Sequence, residues 1–282
     1  MKISIITPCF NAERFIEETI ESVIFQRGNF EIEYIIVDGG SKDSTISIIN
    51  KYKDFVASRS FQKKCNAVSI VFLSGPDNGM YDALAKGLRH LTGDVVAYIN
   101  ADDFYLPNAF SVVERIFSSY ADVQWITGMS TGYNEQGQLI VSFTPFKYDS
   151  KLIRRGLYGT TTYTIQQEST FWRRELMNTL DINALRAFRL AGDFFLWHSF
   201  SKLTELHPVQ AGLGGFRIHP SQLSKSRRQY TQEFLTIAEK KNIFDSMKAH
   251  YYKTATKYFP TRLKRTLNSN YIWYNYDVWK KG

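Results

Sequence analysis

Cysteine is nearly missing from this chain: Cys9 and Cys65 are the two it has among 282 residues. Two such residues make no disulfide framework and no metal-ligand spacing, which fits a reducing cytoplasm. No apolar run approaches the length of a membrane span, and the opening "MKISIITPCF" reads as too short for a secretory signal. No apolar run is followed by the G-x-G-x-x-G of a dinucleotide site or by the G-x-x-x-x-G-K-[ST] of a phosphate loop. Internal repeats and low-complexity linkers are also lacking. What is present is ordinary, 44% hydrophobic and 22% charged residues, in a chain long enough to bury a full core.

The net charge of +8 is unevenly placed. From Lys225 onward there are thirteen Lys/Arg against four Asp/Glu, whereas the first 224 residues hold 22 against 23. The basic tail also carries Tyr251, Tyr252, Tyr258, Phe259, Trp273, Tyr274 and Trp279. Cations interleaved with Trp and Tyr suit an anionic membrane surface. They would also suit nucleic acid, or a solvated basic helix held to the body by its rings.

The first half repeats one pattern four times. "ISII" (3–6), "YIIV" (34–37), "VSIVFL" (68–73) and "DVVAYI" (94–99) read as strands. Each is followed by a loop and then a helical stretch: Phe15, Ile16, Ile20, Val23 and Ile24 on one face with Asn11 as N-cap, then 44–52, 80–91, and Pro107 to Ser119. Such repetition predicts an α/β fold, a parallel sheet with helices on both faces, whose ligands bind at the carboxyl ends of the strands. The four loops are "TPCFN", "DGGSKD", "GPDNG" and "NADD". All must open on one edge of the sheet, so the pair Asp102–Asp103 shares a rim with Asp38, Asp43 and Asp77. Adjacent carboxylates beside a core either cap a helix or hold a cation, and the company of three other acidic loops favours the cation. The second half reads as an antiparallel pair (123–127 with 139–143), loop then helix over 166–176, a helix at 191–200, a glycine-led loop at 214–224, and helix from Arg227 to Tyr251. Beyond Tyr251 short helices or irregular structure are expected.

Six stretches in order, "SIITPCFNAERFIEETIESV", "YIIVDGGSKDST", "DNGMYDALAKGLRHLTGDVVAYINADD", "QQESTFWRREL", "AGDFFLW" and "FRIHPSQLS", resemble family 2 glycosyltransferases of the GT-A fold, of the type that builds bacterial polysaccharides. The resemblance spans residues 3 to about 224 and implies a GT-A domain over 1–224 with a basic, aromatic, helical extension over 225–282. It also implies a nucleotide-sugar site. Thr7, Pro8, Phe10 and Asn11 would border the nucleobase, with the Phe10 ring against it, and Asp38 would accept the N3–H of a uracil. Gly79, Asp82 and Lys86 would flank the nucleotide, as would Asn100 and Ala101. Asp102 would face the ribose or sugar, Asp103 would bind Mn²⁺ or Mg²⁺, and His219 would contact the metal or diphosphate. Asp193 would be the catalytic base and Gln167 an acceptor-side residue, although relatives often have His-Gln where this chain has Gln166-Gln167.

Residue chemistry agrees with those roles. Mg²⁺ and Mn²⁺ are hard cations that take one or two protein carboxylates and complete their shells with phosphate and water. Asp193, among Ala191, Gly192, Phe194, Phe195 and Trp197, is in surroundings that favour a base. Other residues read otherwise: Asp43 as a helix-start residue, Phe171 and Trp172 as core, Cys9 and Cys65 as inert, Arg217 as a phosphate partner or a surface side chain. The expected protein is thus a metal-dependent, inverting glycosyltransferase using a UDP-sugar on a glycan or lipid-linked acceptor, with no nucleic-acid partner. It would be cytoplasmic, peripheral on the inner face of the membrane through its tail. Rival readings are a non-catalytic glycan- or nucleotide-sugar-binding module and a sugar-phosphate nucleotidyltransferase. The second would want a Gly-rich, Arg/Lys-bearing signature after the first strand, which "TPCFNAERF" lacks.

Overall fold

A computed structural model describes residues 1–220, 222, 227–275 and 277–282. The four predicted units are present as β1 (Lys2–Cys9), α1 (Ile16–Ile24), β2 (Glu31–Asp38), α2 (Thr45–Ala57), β3 (Ala67–Ser74), α3 (Met80–Leu88), β4 (Val95–Tyr98), β5 (Phe104–Tyr105) and α4 (Ala109–Ser119). β3, β2, β1 and β4 lie side by side and parallel, as apolar runs buried on both faces require. The remainder comprises β6 (Trp125–Thr127), β7 (Ser130–Tyr133), β8 (Leu139–Phe143), α5 (Ser150–Arg154), β9 (Thr170–Arg173), α6 (Ile182–Leu185), α7 (Gly192–Phe200), β10 (His207–Pro208), β11 (Gly214–Arg217), α8 (Arg227–Leu235), α9 (Ile243–Tyr258), α10 (Thr261–Leu267), β12 (Ile272–Asn275) and β13 (Val278–Lys281).

Several expectations are corrected. Asn11 is not the N-cap of α1. Phe15 holds that position, while Asn11 turns to φ 48° and its side-chain oxygen accepts from the Lys42 amide at 2.9 Å, tying the first loop to the second. Residues 123–127 do not pair with 139–143. β6 is fully buried and joins the main sheet beside β9 and β10, and the hairpin is β7–β8. The stretch 166–176 holds a strand, β9, because Thr170, Phe171 and Trp172 are all buried between β4 and β6, where β-branched and aromatic side chains pack best. The main sheet therefore has the order β10-β6-β9-β4-β1-β2-β3. Phe171 and Trp172 are core, as expected, and Trp172 packs edge-on to Trp197 at 6.0 Å.

Nor is the glycine-led segment simply a loop. Gly214–Arg217 is β11, antiparallel to β5 and parallel to β7, in a second sheet ordered β5-β11-β7-β8. The end of that segment and the expected boundary at 224/225 lie outside the described residues. The tail breaks after α8 and restarts at Asn242, whose capping box with Asp245 begins α9. It then ends in a β12–β13 hairpin rather than in helix. That hairpin and its helices pack on the body: Tyr120 donates to the Trp279 carbonyl at 2.7 Å, and Ala249, Tyr252 and Ala255 of α9 cluster with Phe146, Leu152 and Leu157. Among the described residues no helix is long and apolar enough to cross a membrane.

One carboxylate sits inside the sheet region itself. Glu33 of β2 is buried, and it receives the Ser4 hydroxyl at 2.5 Å, the Thr92 amide at 2.7 Å and the Thr92 hydroxyl at 2.6 Å, with Lys2 Nζ at 3.1 Å. Burial opposes the charge, but these bonds prevail and hold its pKa down to about 2. A depressed folded-state pKa adds stability above the unfolded value, lost as pH falls toward 2. Glu33→Gln is therefore expected to unfold at lower urea concentration than the parent protein at neutral pH. The gap should close as pH approaches 2, and a gap independent of pH would contradict this reading.

Candidate active site

Because β1 to β4 run in one direction, their four loops meet at one edge, around a cavity of about 1490 Å³. Pro8, Phe10, Asn11, Gly79, Asn100, Ala101, Asp102, Asp103, Gln167, Asp193 and His219 all line it. Thr7, Asp38, Asp82 and Lys86 do not. The Thr7 hydroxyl lies 3.0 Å from that of Tyr34, fully buried. Asp38 is likewise sealed: it receives the Gly40 amide at 3.0 Å, the Ser41 amide at 3.1 Å and the Ser74 hydroxyl at 2.9 Å, so its carboxylate shapes the loop. Asp82 accepts from the Asn78 amide at 3.0 Å and Arg186 Nε at 2.5 Å, while Lys86 donates to the Pro76 carbonyl at 3.0 Å.

At the β1–β3 end the Phe10 ring stands 61% exposed. Asp77 lines the cavity there and accepts the Gly79 amide at 2.9 Å. Its other oxygen occupies the space a side chain at Gly39 would need, since a Cβ there would lie 2.7 Å from it. Asp43 caps the start of α2, as expected, through the Thr45 amide at 3.0 Å. Burial first, then Asp38, Asp77 and Asp43, pushes the Cys9 thiol up, leaving it protonated and inert.

The acidic pair sits where the two sheets meet. β5 follows it directly, and β11, paired with β5, brings Arg217 and His219 to it. Asp103 is 1% exposed and receives the Arg217 amide at 2.8 Å and Asn100 Nδ2 at 3.3 Å. Asp102 lies with Oδ2 2.9 Å from His219 Nε2. Arg217 is neither a surface residue nor open to a phosphate: it is buried, bonded to the Asp102 carbonyl at 2.9 Å and Glu18 at 2.5 Å, with its guanidinium between the Phe15 and Phe104 rings.

A third carboxylate joins them. Glu168 is buried on the cavity wall in the turn before β9, taking a bond from Gln166 Nε2. Burial raises its pKa to about 7, and Asp102 and Asp193 push in the same direction. Burial, then Glu168, then Asp102 hold Asp103 well above the usual carboxylate range. The sequence reading missed Glu168, although a Glu two residues before a strand holding Phe171 and Trp172 was a signal for a buried acid.

Asp193 occupies the first turn of α7, where Gly192 is required because a Cβ would meet the Tyr81 ring at 2.3 Å. Burial raises its pKa to about 6, against the Tyr230 hydroxyl that donates to it from 3.1 Å. Glu233 fixes the approach to that turn by accepting the amides of Arg189, Leu190 and Ala191 at 3.1, 2.8 and 2.9 Å. Tyr230 and Glu233 both come from α8, so the extension takes part in the site.

The model of glycosyl transferase family 2 matches residues 4–182 of this sequence. The chain belongs to that family. It is similar to an uncharacterised glycosyltransferase of Mycobacterium tuberculosis, 29% identical over 127 residues, which are 45% of this chain and 44% of that protein. It is also similar to a PGL/p-HBAD biosynthesis glycosyltransferase of Mycobacterium bovis, 27% identical over 56% of this chain and 60% of that one. The matched segments thus span about half the length of these curated relatives. Among solved structures, S. aureus TarS (residues 1–349) with UDP-GlcNAc superposes with a TM-score of 0.57 at 16% identity, covering 87% of this chain and 69% of that one. Glucosyl-3-phosphoglycerate synthase from Mycobacterium tuberculosis gives 0.50 at 18%, covering 86% and 81%. These likenesses show the GT-A fold.

The close seating of β11 on the acidic pair has a cost. A Cβ on Gly214 would lie 2.2 Å from the Glu168 carbonyl, and backbone cannot yield as a side chain can. Gly214→Ala is expected to cost about 1–3 kcal/mol of stability, read from urea denaturation. An unchanged midpoint would show that β11 and Glu168 are not packed this closely.

Proposed function

We propose that this glycosyltransferase moves a sugar from a UDP-sugar to a hydroxyl of a glycan or lipid-linked acceptor, with inversion. The observation that carries the reading is that Asp193 and the Asp102–Asp103 pair open on one cavity. The acceptor hydroxyl gives its proton to an Asp193 oxygen as its own oxygen bonds to the anomeric carbon. The bond from that carbon to the diphosphate breaks, and the electron pair leaves with UDP. Tyr230 holds the carboxylate in place, and the raised pKa makes it a stronger proton acceptor than an exposed Asp.

Mn²⁺ or Mg²⁺ fits the residues present. Asp102, Asp103 and His219 offer hard oxygen donors and an imidazole, and the buried Asn100 side-chain oxygen beside them has no hydrogen-bond partner among the described residues. Among the described residues no three of His, Cys, Asp or Glu are arranged to hold an ion unaided, so phosphate and water would complete its shell. When bound, the ion neutralises the departing diphosphate. For the nucleobase, Asp38 spends its oxygens on its own loop and Ser74, which favours Asp77, at the Phe10 end with an oxygen toward Gly39, as the carboxylate that would accept the N3–H of uracil. The UDP and UDP-GlcNAc complexes of S. aureus TarS support this choice of nucleotide.

Asp193→Asn is expected to lower the rate of transfer about 10²–10⁴-fold while leaving UDP affinity unchanged. Since the base acts deprotonated, parent activity should rise with pH through about 6 and then level off, because Tyr81, Tyr98, Tyr230, Glu233 and Glu168 face Asp193 and among the described residues no cation pairs with it. Full activity in the Asn variant would assign the proton to another base, and no turnover in either form would leave a binding role.

Calorimetric titration with UDP, with and without Mn²⁺, tests the other two carboxylates. Asp77→Asn should weaken UDP roughly tenfold or more in both series. Asp103→Ala should abolish the gain that Mn²⁺ brings. Unchanged affinities would remove the base contact in the first variant and the metal role in the second.

A further inference from the structure

One face of α9 is largely uncovered among the described residues, with Tyr251 alone reaching Phe146 and Phe259 beside it. Ile243, Phe244, Met247, Tyr251 and Tyr258 are 69%, 74%, 62%, 49% and 67% exposed. With about 3.6 residues per turn they fall within an arc of roughly 100°. Asp245, Ala249, Tyr252 and Ala255, on the other side, are buried. An exposed apolar strip of this kind marks an interaction surface.

The charge around the strip selects its partner. Each acid near it is neutralised from within: Asp245 by Arg155, and Glu239 by Arg154 at 2.8 Å. Lys240 and Lys241, just before the helix, and Lys253 and Lys257 along it are exposed, and they form no ion pair among the described residues. A strip of Ile, Phe, Met and Tyr bordered by free lysines complements a surface that is apolar below and anionic at the level of its headgroups.

We infer that α9 seats this protein on an anionic lipid bilayer, with Phe244 and Met247 entering the acyl boundary and Lys240, Lys241, Lys253 and Lys257 among the headgroups. The seat is built into the catalytic body. Ala249, Tyr252 and Ala255 pack on Phe146, Leu152 and Leu157, and the same segment presents Ile153 and Tyr158 to the cavity. α9 thus backs the wall of the cleft, and a glycosyltransferase held this way would meet acceptors carried on lipid. That last step rests on the transfer reaction proposed above; the lipid contact does not.

Flotation of the full chain with vesicles, without nucleotide, separates the two. The parent protein should float with vesicles containing about 30% phosphatidylglycerol and stay behind with pure phosphatidylcholine. Phe244→Ser/Met247→Ser should lower the bound fraction about tenfold, and Lys253→Gln/Lys257→Gln should weaken binding and flatten its salt dependence. Ile140→Ser, at an exposed apolar residue of β8, should leave it unchanged. The inference is overturned if the parent protein does not float, or if both α9 variants float as it does. It is equally overturned if sedimentation without lipid shows a dimer that the Phe244→Ser/Met247→Ser change dissociates, for the face would then join two copies of this chain.

Discussion

Compensation of negative charge at the carboxyl edge of the sheet governs this site. Four parallel strands deliver acidic loops to one rim, and buried carboxylates are costly unless something donates to them. Most of them find donors nearby. Asp38 takes the amides of Gly40 and Ser41, Asp77 that of Gly79, and Asp82 that of Asn78. For Asp43 and Asp82 these bonds outweigh burial, and the pKa falls below the ordinary value. Asp103 and Glu168 are the opposite case: burial and the charges of neighbouring acids, Glu168 and Asp102 for the first and Asp102 and Asp193 for the second, prevail, and the pKa rises. The same edge thus carries two kinds of acid, one settled by its own backbone and one left with surplus charge beside a cavity.

That difference could not be counted from residue types. "DGGSKD", "GPDNG" and "NADD" look alike as strings, and only the direction of their amides separates them. The parallel core was legible, because four apolar runs with loop and helix between them admit few other arrangements. The second half was less so, since its strands are short and pair across long separations. Trp125–Thr127 meets Thr170–Arg173, and Phe104–Tyr105 meets Gly214–Gly215. The terminal hairpin did leave a signal, aromatic residues on either side of "NYD", with Asp277 at φ 68° in the turn, which a helical reading of a basic tail passed over.

Within the site, residues read from local strings sit on the cavity wall when their role needs only a strand end: Pro8, Phe10, Asn100, Ala101, Asp102 and Asp103. Asp38 is not on that wall, because a carboxylate at a strand end is equally suited to closing its own loop. Glu168, Tyr230 and Asp77 gain their meaning from partners far along the chain or across a loop. Tyr230 reaches Asp193 over 37 positions, and Asp77 matters because Gly39 leaves it room.

The extension changes the view of where the parts of the site end. Tyr230 and Glu233 brace Asp193, and Phe234 packs on Phe194 at 5.3 Å, while α9 lies against the segment that walls the cleft. Removing everything after residue 225 would strip Asp193 of the Tyr230 hydroxyl together with any contact to lipid, so loss of function in such a truncation could not be assigned to either. The two roles lie on different helices and different faces. Substitutions on the outer face of α9 leave Tyr230 and Glu233 where they are, because Phe244 and Met247 project away from the buried residues that hold that helix to the body.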